Sequence, residues 1–257
     1  MPLGYWRSVD ASGNQFVVSS FFDEAAHAAG RDPVEFLFAA FGPARKIPVG
    51  NGETLDVGRR RAVLELAAEK AGRHKPLRAG RGRGIAAAFG WGSYVAQVAE
   101  VTCDAKNGAL RVDRVVCAVD CGTAVNPLSV QAQMEGAINF GLAQALKSAI
   151  TVSGGRVEQS NFHDYEVLRM SDAPPIIEVH IVPSAEAPGG CGEPAGRSCS
   201  CPRSWQCHFR GDGKTRPAAA DPCRRPAVGL NELPWIFILT GSCCRISVCW
   251  REVPHGH

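Results

Sequence analysis

Tyr94-Val95-Ala96-Gln97-Val98-Ala99-Glu100-Val101-Thr102 and Leu110-Arg111-Val112-Asp113-Arg114-Val115-Val116-Cys117-Ala118-Val119 are two valine-rich runs on either side of Asp104-Ala105-Lys106-Asn107-Gly108. Branched side chains favour extended backbone, and Asn-Gly accepts the positive φ of a tight turn, so this stretch predicts a β-hairpin. The strand-like pattern starts at Gly84. Upstream the spacing changes. Phe21, Phe22, Ala25, Ala26 and Ala29 recur at helical intervals within Ser19 to Gly30, and Gly30 is a stop signal. Asp32-Pro33-Val34-Glu35 offers a cap, a proline at the first helical position and a reciprocal carboxylate, which predicts a second helix from Pro33 to about Phe41. The two form a helical hairpin. Lys46 to Leu55, with Asn51-Gly52, reads as a loop, and Val57 to Ala71 before Gly72 reads as a third helix.

Downstream, Asn126 precedes Pro127 and predicts a helix to Leu146, while Ile150 to Val157 and Ile176 to Val182 read as further strand. Helices and strands in separate blocks argue for an α+β fold, a helical hairpin with a mixed β-sheet. No internal repeat appears.

With 45% apolar and 21% charged residues in 257, the chain has enough apolar material for a packed core. The net charge of +3 comes without a basic block in the first half, so nucleic acid is not an expected partner. Trp235 to Leu239 is too short to span a bilayer, and no membrane span is predicted. Met1-Pro2-Leu3-Gly4-Tyr5-Trp6-Arg7 lacks the layout of an export signal. As encoded the chain reads as cytoplasmic, with export of a longer parent left open.

Two segments carry candidate chemistry. Gly189-Gly190-Cys191-Gly192-Glu193 is a glycine-rich turn ending in a carboxylate; it reads either as backbone that admits a bulky ligand and aims an acid at it, or as a surface turn with a solvated glutamate. Gly122-Thr123-Ala124-Val125-Asn126-Pro127, leading into Gln131-Ala132-Gln133-Met134-Glu135-Gly136-Ala137, reads either as an anion-binding helix start or as an ordinary capped helix with Gln133 and Glu135 exposed. His27, His74, His163 and His180 fit no zinc spacing, so no protein-ligated metal is expected. His163 reads as a structural histidine bonded to a carbonyl, or as a wall of a substrate route. Cys103, Cys117 and Cys121 read as reduced core residues.

Taken together, Val119-Asp120, Gly122 to Pro127, Gln133 to Ala137 and Gly192-Glu193 resemble the xanthine oxidase and aldehyde oxidase family of molybdenum hydroxylases. Gly4-Tyr5-Trp6-Arg7-Ser8-Val9, Phe22-Asp23-Glu24 and Ser160-Asn161-Phe162-His163-Asp164-Tyr165 are most similar to its isoquinoline 1-oxidoreductase type, and the likeness covers Pro2 to Ala195. The resemblance implies that residues 1–195 are the C-terminal part of a molybdopterin-binding domain, with the Pro127 to Leu146 helix facing the cofactor. It also implies hydroxylation of an N-heteroaromatic compound or an aldehyde with oxygen from water. Glu193 would be the general base and Arg7 a fixed cation beside the metal, with Gln133, Gly122, Thr123, Asn126 and Gly192 as cofactor contacts. The implied cofactor is molybdenum with molybdopterin cytosine dinucleotide, and the implied partner a small [2Fe-2S] subunit.

Seven of the eleven cysteines and three of the five tryptophans lie in residues 196–257, so the chain changes character there. Codons for Gly196 to Pro222 can be chosen that spell an alanine-rich, apolar segment when read from the second nucleotide, as this family's ending would require. Residues 196–257 are therefore expected to be a frameshifted tail, and the chain a truncated one that is inactive alone. A zinc module on Cys199, Cys201, Cys207 and His208 is the rival reading, and its spacing suits a tetrahedral site poorly. The alternative for the whole chain is a non-catalytic fragment that pairs with an iron–sulfur subunit or with a separately encoded N-terminal half.

Overall fold

The computed structural model describes residues 4–9, 11–50, 52–103 and 109–194. The 104–108 turn, the 195/196 boundary, the frameshift reading and the zinc alternative lie outside the described residues.

Three long strands make the centre: β3 (Arg81–Gly90), β4 (Ser93–Cys103) and β5 (Leu110–Asp120), paired antiparallel, with β8 (Ile176–Ile181) added parallel to β5. The order is β3-β4-β5-β8, a mixed four-stranded sheet. A parallel neighbour needs a crossover, and between β5 and β8 the chain runs through α4 (Pro127–Leu146). Both faces of the sheet are covered, which explains why the central strands are nearly continuous apolar runs with little polar alternation. Val95, Ala99, Val115, Cys117 and Val119 face α4, where Val130, Met134, Ala137, Ile138 and Leu142 meet them. Their sequence neighbours Tyr94, Ala96, Val98, Val116 and Ala118 point the other way, onto Val63, Leu64, Ala67 and Ala68 of α3 (Val57–Lys70). The two-residue period of the strand thus serves two cores, each large side chain contributing about 1.5–3 kcal/mol by leaving water.

The α+β expectation holds, with local differences. The helix α1 spans Ala11–Ala28, starting eight residues before Ser19. Its first turns lack apolar spacing. They are held by tertiary contact, since the Gln15 amide donates to the Ala87 carbonyl of β3 at 3.2 Å and to Ser19 Oγ at 2.8 Å. Helix α2 is Pro33–Phe41 as expected, with the Asp32 carboxylate accepting from the Val34 and Glu35 amides at 2.9 and 3.1 Å. Glu35 is drawn to Arg73, a charged partner, and so the reciprocal capping contact gives way to an ion pair.

The expected loop from Lys46 to Leu55 is a hairpin of β1 (Lys46–Gly50) and β2 (Glu53–Asp56). Its polar composition hid the strands; the pairing is anchored from outside by the Tyr94 hydroxyl, which accepts from the Asp56 amide at 2.6 Å. Asp56 then caps α3 by accepting from the Arg59 amide at 3.2 Å. Ile150 to Val157 contracts to the two-residue strands β6 (Val152–Ser153) and β7 (Arg156–Val157). Among the described residues His163 bonds no carbonyl as a structural histidine would: its side chain is 73% exposed, 3.6 Å from the Asp164 carboxylate. Cys117 and Cys121 are buried as expected, while Cys103 is half-buried. Among the described residues, no helix is long and apolar enough to cross a membrane.

Candidate functional site

Trp6 to Val9 forms a tight turn closed by the Val9 amide, which donates to the Trp6 carbonyl at 2.8 Å. Arg7 projects from it, its Nε donating to the Gly192 carbonyl at 2.8 Å and its terminal nitrogen to Gln133 Oε1 at 3.3 Å. Ser8 faces the same segment: its amide donates to Glu193 Oε2, and its hydroxyl to the Glu193 carbonyl at 2.6 Å. Phe140, two turns along α4 from Gln133, packs against this turn. Its ring centroid lies 5.7 Å from that of Trp6 and 5.7 Å from the Arg7 guanidinium carbon. Segments far apart in sequence therefore bring Arg7, Gln133, Gly192 and Glu193 together.

The second half of the site is a pair of interlocked turns at the end of β5. Asp120 is buried and accepts both Arg59 nitrogens, at 2.7 and 2.6 Å, together with the Gly122 amide at 3.1 Å. Burial pushes its carboxyl up, but the Arg59 guanidinium, the Gly122 amide and Ser184 outweigh that and hold it below the usual carboxylate range. The same bond to Asp120 raises the Arg59 guanidinium above its ordinary value.

Gly122 sits at φ +69°, and a Cβ there would lie 2.1 Å from the Ala187 carbonyl oxygen, so only glycine lets the two backbones approach this closely. Thr123 donates both its amide and its hydroxyl to the Glu186 carbonyl, at 2.9 and 3.0 Å. The glycine-rich turn is fixed by the Gly189 amide on the Cys121 carbonyl and the Gly190 amide on the Trp91 carbonyl, both 2.8 Å. Cys191 meets Cys121 beneath the turn; burial first, then that neighbouring thiol, push its own thiol up to about 12.

Asn126 is committed to the helix, its side-chain oxygen accepting from the Ser129 amide at 3.2 Å. It stands on the exposed N-terminus of α4, whose first turn holds no acidic residue. Sequence reading missed Ser8, Phe140 and the Arg59–Asp120 pair. Asp120 carried a signal, since a lone acid ending an apolar strand needs a buried partner. Ser8 carried none.

Residues 51–174, which run through this region, match the family model of the molybdopterin cofactor-binding domain. Those residues carry a molybdopterin cofactor-binding domain. The chain is 35% identical over 193 residues to the beta chain of isoquinoline 1-oxidoreductase from Brevundimonas diminuta, a match covering 74% of this chain and 23% of that one. A nicotinate dehydrogenase subunit of Pseudomonas putida is 30% identical over 208 residues, with 74% and 16% covered. The chain thus spans about a quarter or less of the length of these relatives. Aldehyde oxidoreductase from Desulfovibrio gigas superposes with a TM-score of 0.56 at 13% identity, over 78% of this chain and 38% of that one, and shares the fold.

The residues present suit a molybdopterin. The donor set is a guanidinium, a carboxamide and glycine backbone, which matches the hydrogen-bonding edges of a pterin. The Trp6 indole N–H beside them is buried and has no partner among the described residues. Those residues also hold no group of three or more histidine, cysteine or acidic side chains that could ligate a metal.

Proposed function

We propose that this chain supplies one wall of the cofactor cleft in the large subunit of a molybdenum hydroxylase. The reaction is the oxidation of a ring carbon beside nitrogen, or of an aldehyde carbon. Water provides the oxygen, and each turnover releases two protons and two electrons. The single observation that supports this reading is the Arg7 side chain, which joins the Gly192 carbonyl, just before Glu193, to Gln133 of α4.

When bound, molybdenum with its pterin supplies the two-electron redox chemistry. Glu193 takes the proton from the oxygen nucleophile, because its carboxylate is half-buried at the end of a fixed turn. Arg7 steadies that turn through the Gly192 carbonyl and brings a positive charge to the residue before Glu193, suited to orienting a polar substrate. Gln133 and Gly192 line the pterin side. Gly122, Thr123 and Asn126 shape the exposed start of α4, where the helix dipole favours the phosphates of a cytosine dinucleotide form. The electrons leave to a small [2Fe-2S] subunit. N-heteroaromatic substrates are favoured by likeness to relatives named for isoquinoline and nicotinate.

The test is Glu193→Gln in the subunit assembled with its remaining segments and iron–sulfur partner. Turnover should fall about 10²- to 10⁴-fold with molybdenum content unchanged. Turnover within a few-fold of the parent would remove Glu193 from the role of base and this reading with it.

A further inference from the structure

We propose that Ser8 is a positioning residue for Glu193, holding one carboxylate oxygen so that the other is left to accept the proton. The inference rests on the reading of Glu193 as the base, and it comes from backbone geometry. Ser8 and the following Val9 both lie at positive φ, +73° and +55°. That region is rarely adopted by residues other than glycine, and a β-branched valine there is a clear outlier. Strained backbone persists where surrounding contacts over-determine it, and such places cluster at functional sites.

The contacts are on Gly192 and Glu193. Arg7 Nε takes the Gly192 carbonyl at 2.8 Å, the Ser8 hydroxyl takes the Glu193 carbonyl at 2.6 Å, and the Ser8 amide takes Glu193 Oε2. Ser8 has no exposed surface. The unusual conformation sets the Ser8 amide and the Ser8 hydroxyl on the same residue, Glu193. A glutamate side chain has three rotatable bonds. Tying Oε2 to a backbone amide and the residue's own carbonyl to a hydroxyl removes most of that freedom and leaves Oε1 as the acceptor, which is the preorganisation a general base needs.

Two measurements separate this claim from the reading it rests on. The first is hydrogen exchange in the full chain without cofactor. The Ser8 amide should be protected, and Glu193→Ala should speed its exchange at least about tenfold, while the Val9 amide, bonded to the Trp6 carbonyl within the same turn, keeps its rate. If the alanine variant does not fold, Glu193→Met, of similar length and without an acceptor oxygen, replaces it and should speed exchange in the same direction. An unchanged Ser8 rate overturns the clamp whatever the enzyme does.

The second is Ser8→Gly in the assembled enzyme. Glycine keeps the positive φ and the amide and removes only the hydroxyl, so kcat should fall about tenfold at constant KM, one hydrogen bond's worth of orientation. An unchanged kcat, or a rise in KM alone, refutes a positioning role. Should Glu193→Gln retain turnover while the exchange result holds, the base reading fails and the contact survives as structure only.

Discussion

Replacing Gly122 by alanine puts a methyl group where the Ala187 carbonyl already sits. The glycine is at φ +69°, and the added Cβ would lie 2.1 Å from Ala187 O, 2.8 Å from Ala187 C and 2.8 Å from Glu186 O, all main-chain atoms that no rotamer change can move aside. Positive φ alone costs an alanine about 1–2 kcal/mol, and overpacking adds about 1–3 kcal/mol, so the total is about 2–5 kcal/mol. Gly30 isolates the first contribution. Its φ is +63° with nothing within 4 Å of an added Cβ, so Gly30→Ala should cost about 1–2 kcal/mol. In urea, with a slope of about 2 kcal/mol/M, Gly122→Ala should lower the midpoint by about 1–2.5 M, against about 0.5–1 M for Gly30→Ala. The Thr123 and Gly189 amides, which bond Glu186 and Cys121 across the same contact, should also lose protection from hydrogen exchange. Equal midpoint shifts in the two variants, with those amides still protected, would refute the argument that backbone approach at Gly122 holds the site's turns together.

Acid should act on the same turns through Asp120. Its folded carboxyl is held below the usual range, so the stability it contributes is present above about pH 4, where the unfolded group ionises, and is lost as pH falls through the lower folded value. Urea melts between pH 3 and 6 should show that loss in the parent and a flatter profile in Asp120→Asn; identical profiles would sink the assignment. Cys117 is wholly buried, which pushes its thiol up to about 12. Iodoacetamide at pH 8 should therefore leave Cys117 unmodified in the folded chain and label it in urea, as read by peptide mass mapping, and rapid labelling of the folded form would contradict the packing described.

Much of the fold was legible because its strongest signals are local. Asp32-Pro33 and Asn126-Pro127 each combine a capping side chain with a preset φ, and both helices begin where those pairs stand. The valine runs became β4 and β5 because branched side chains buried on both faces favour a central strand whatever surrounds it. Local signals failed where an element is held from elsewhere: the first turns of α1 depend on Ala87, and the β1–β2 hairpin leans on Tyr94.

The candidate site divides in the same way. By itself the sequence determined which residues bear chemistry, because a glycine-rich turn ending in Glu193 and a capped helix carrying Gln133 are patterns of neighbours along the chain. Only the tertiary structure decided that Arg7, Gln133 and Glu193 belong to one place, and that Ser8 joins them. Those contacts span up to 185 residues and depend on the sheet carrying β5, α4 and the segment after β8 to the same end, which no spacing along the chain records. Arg59 and Asp120 show the reason most simply. Each is an ordinary charged residue in its own segment, and burial in a shared core is what makes them a pair.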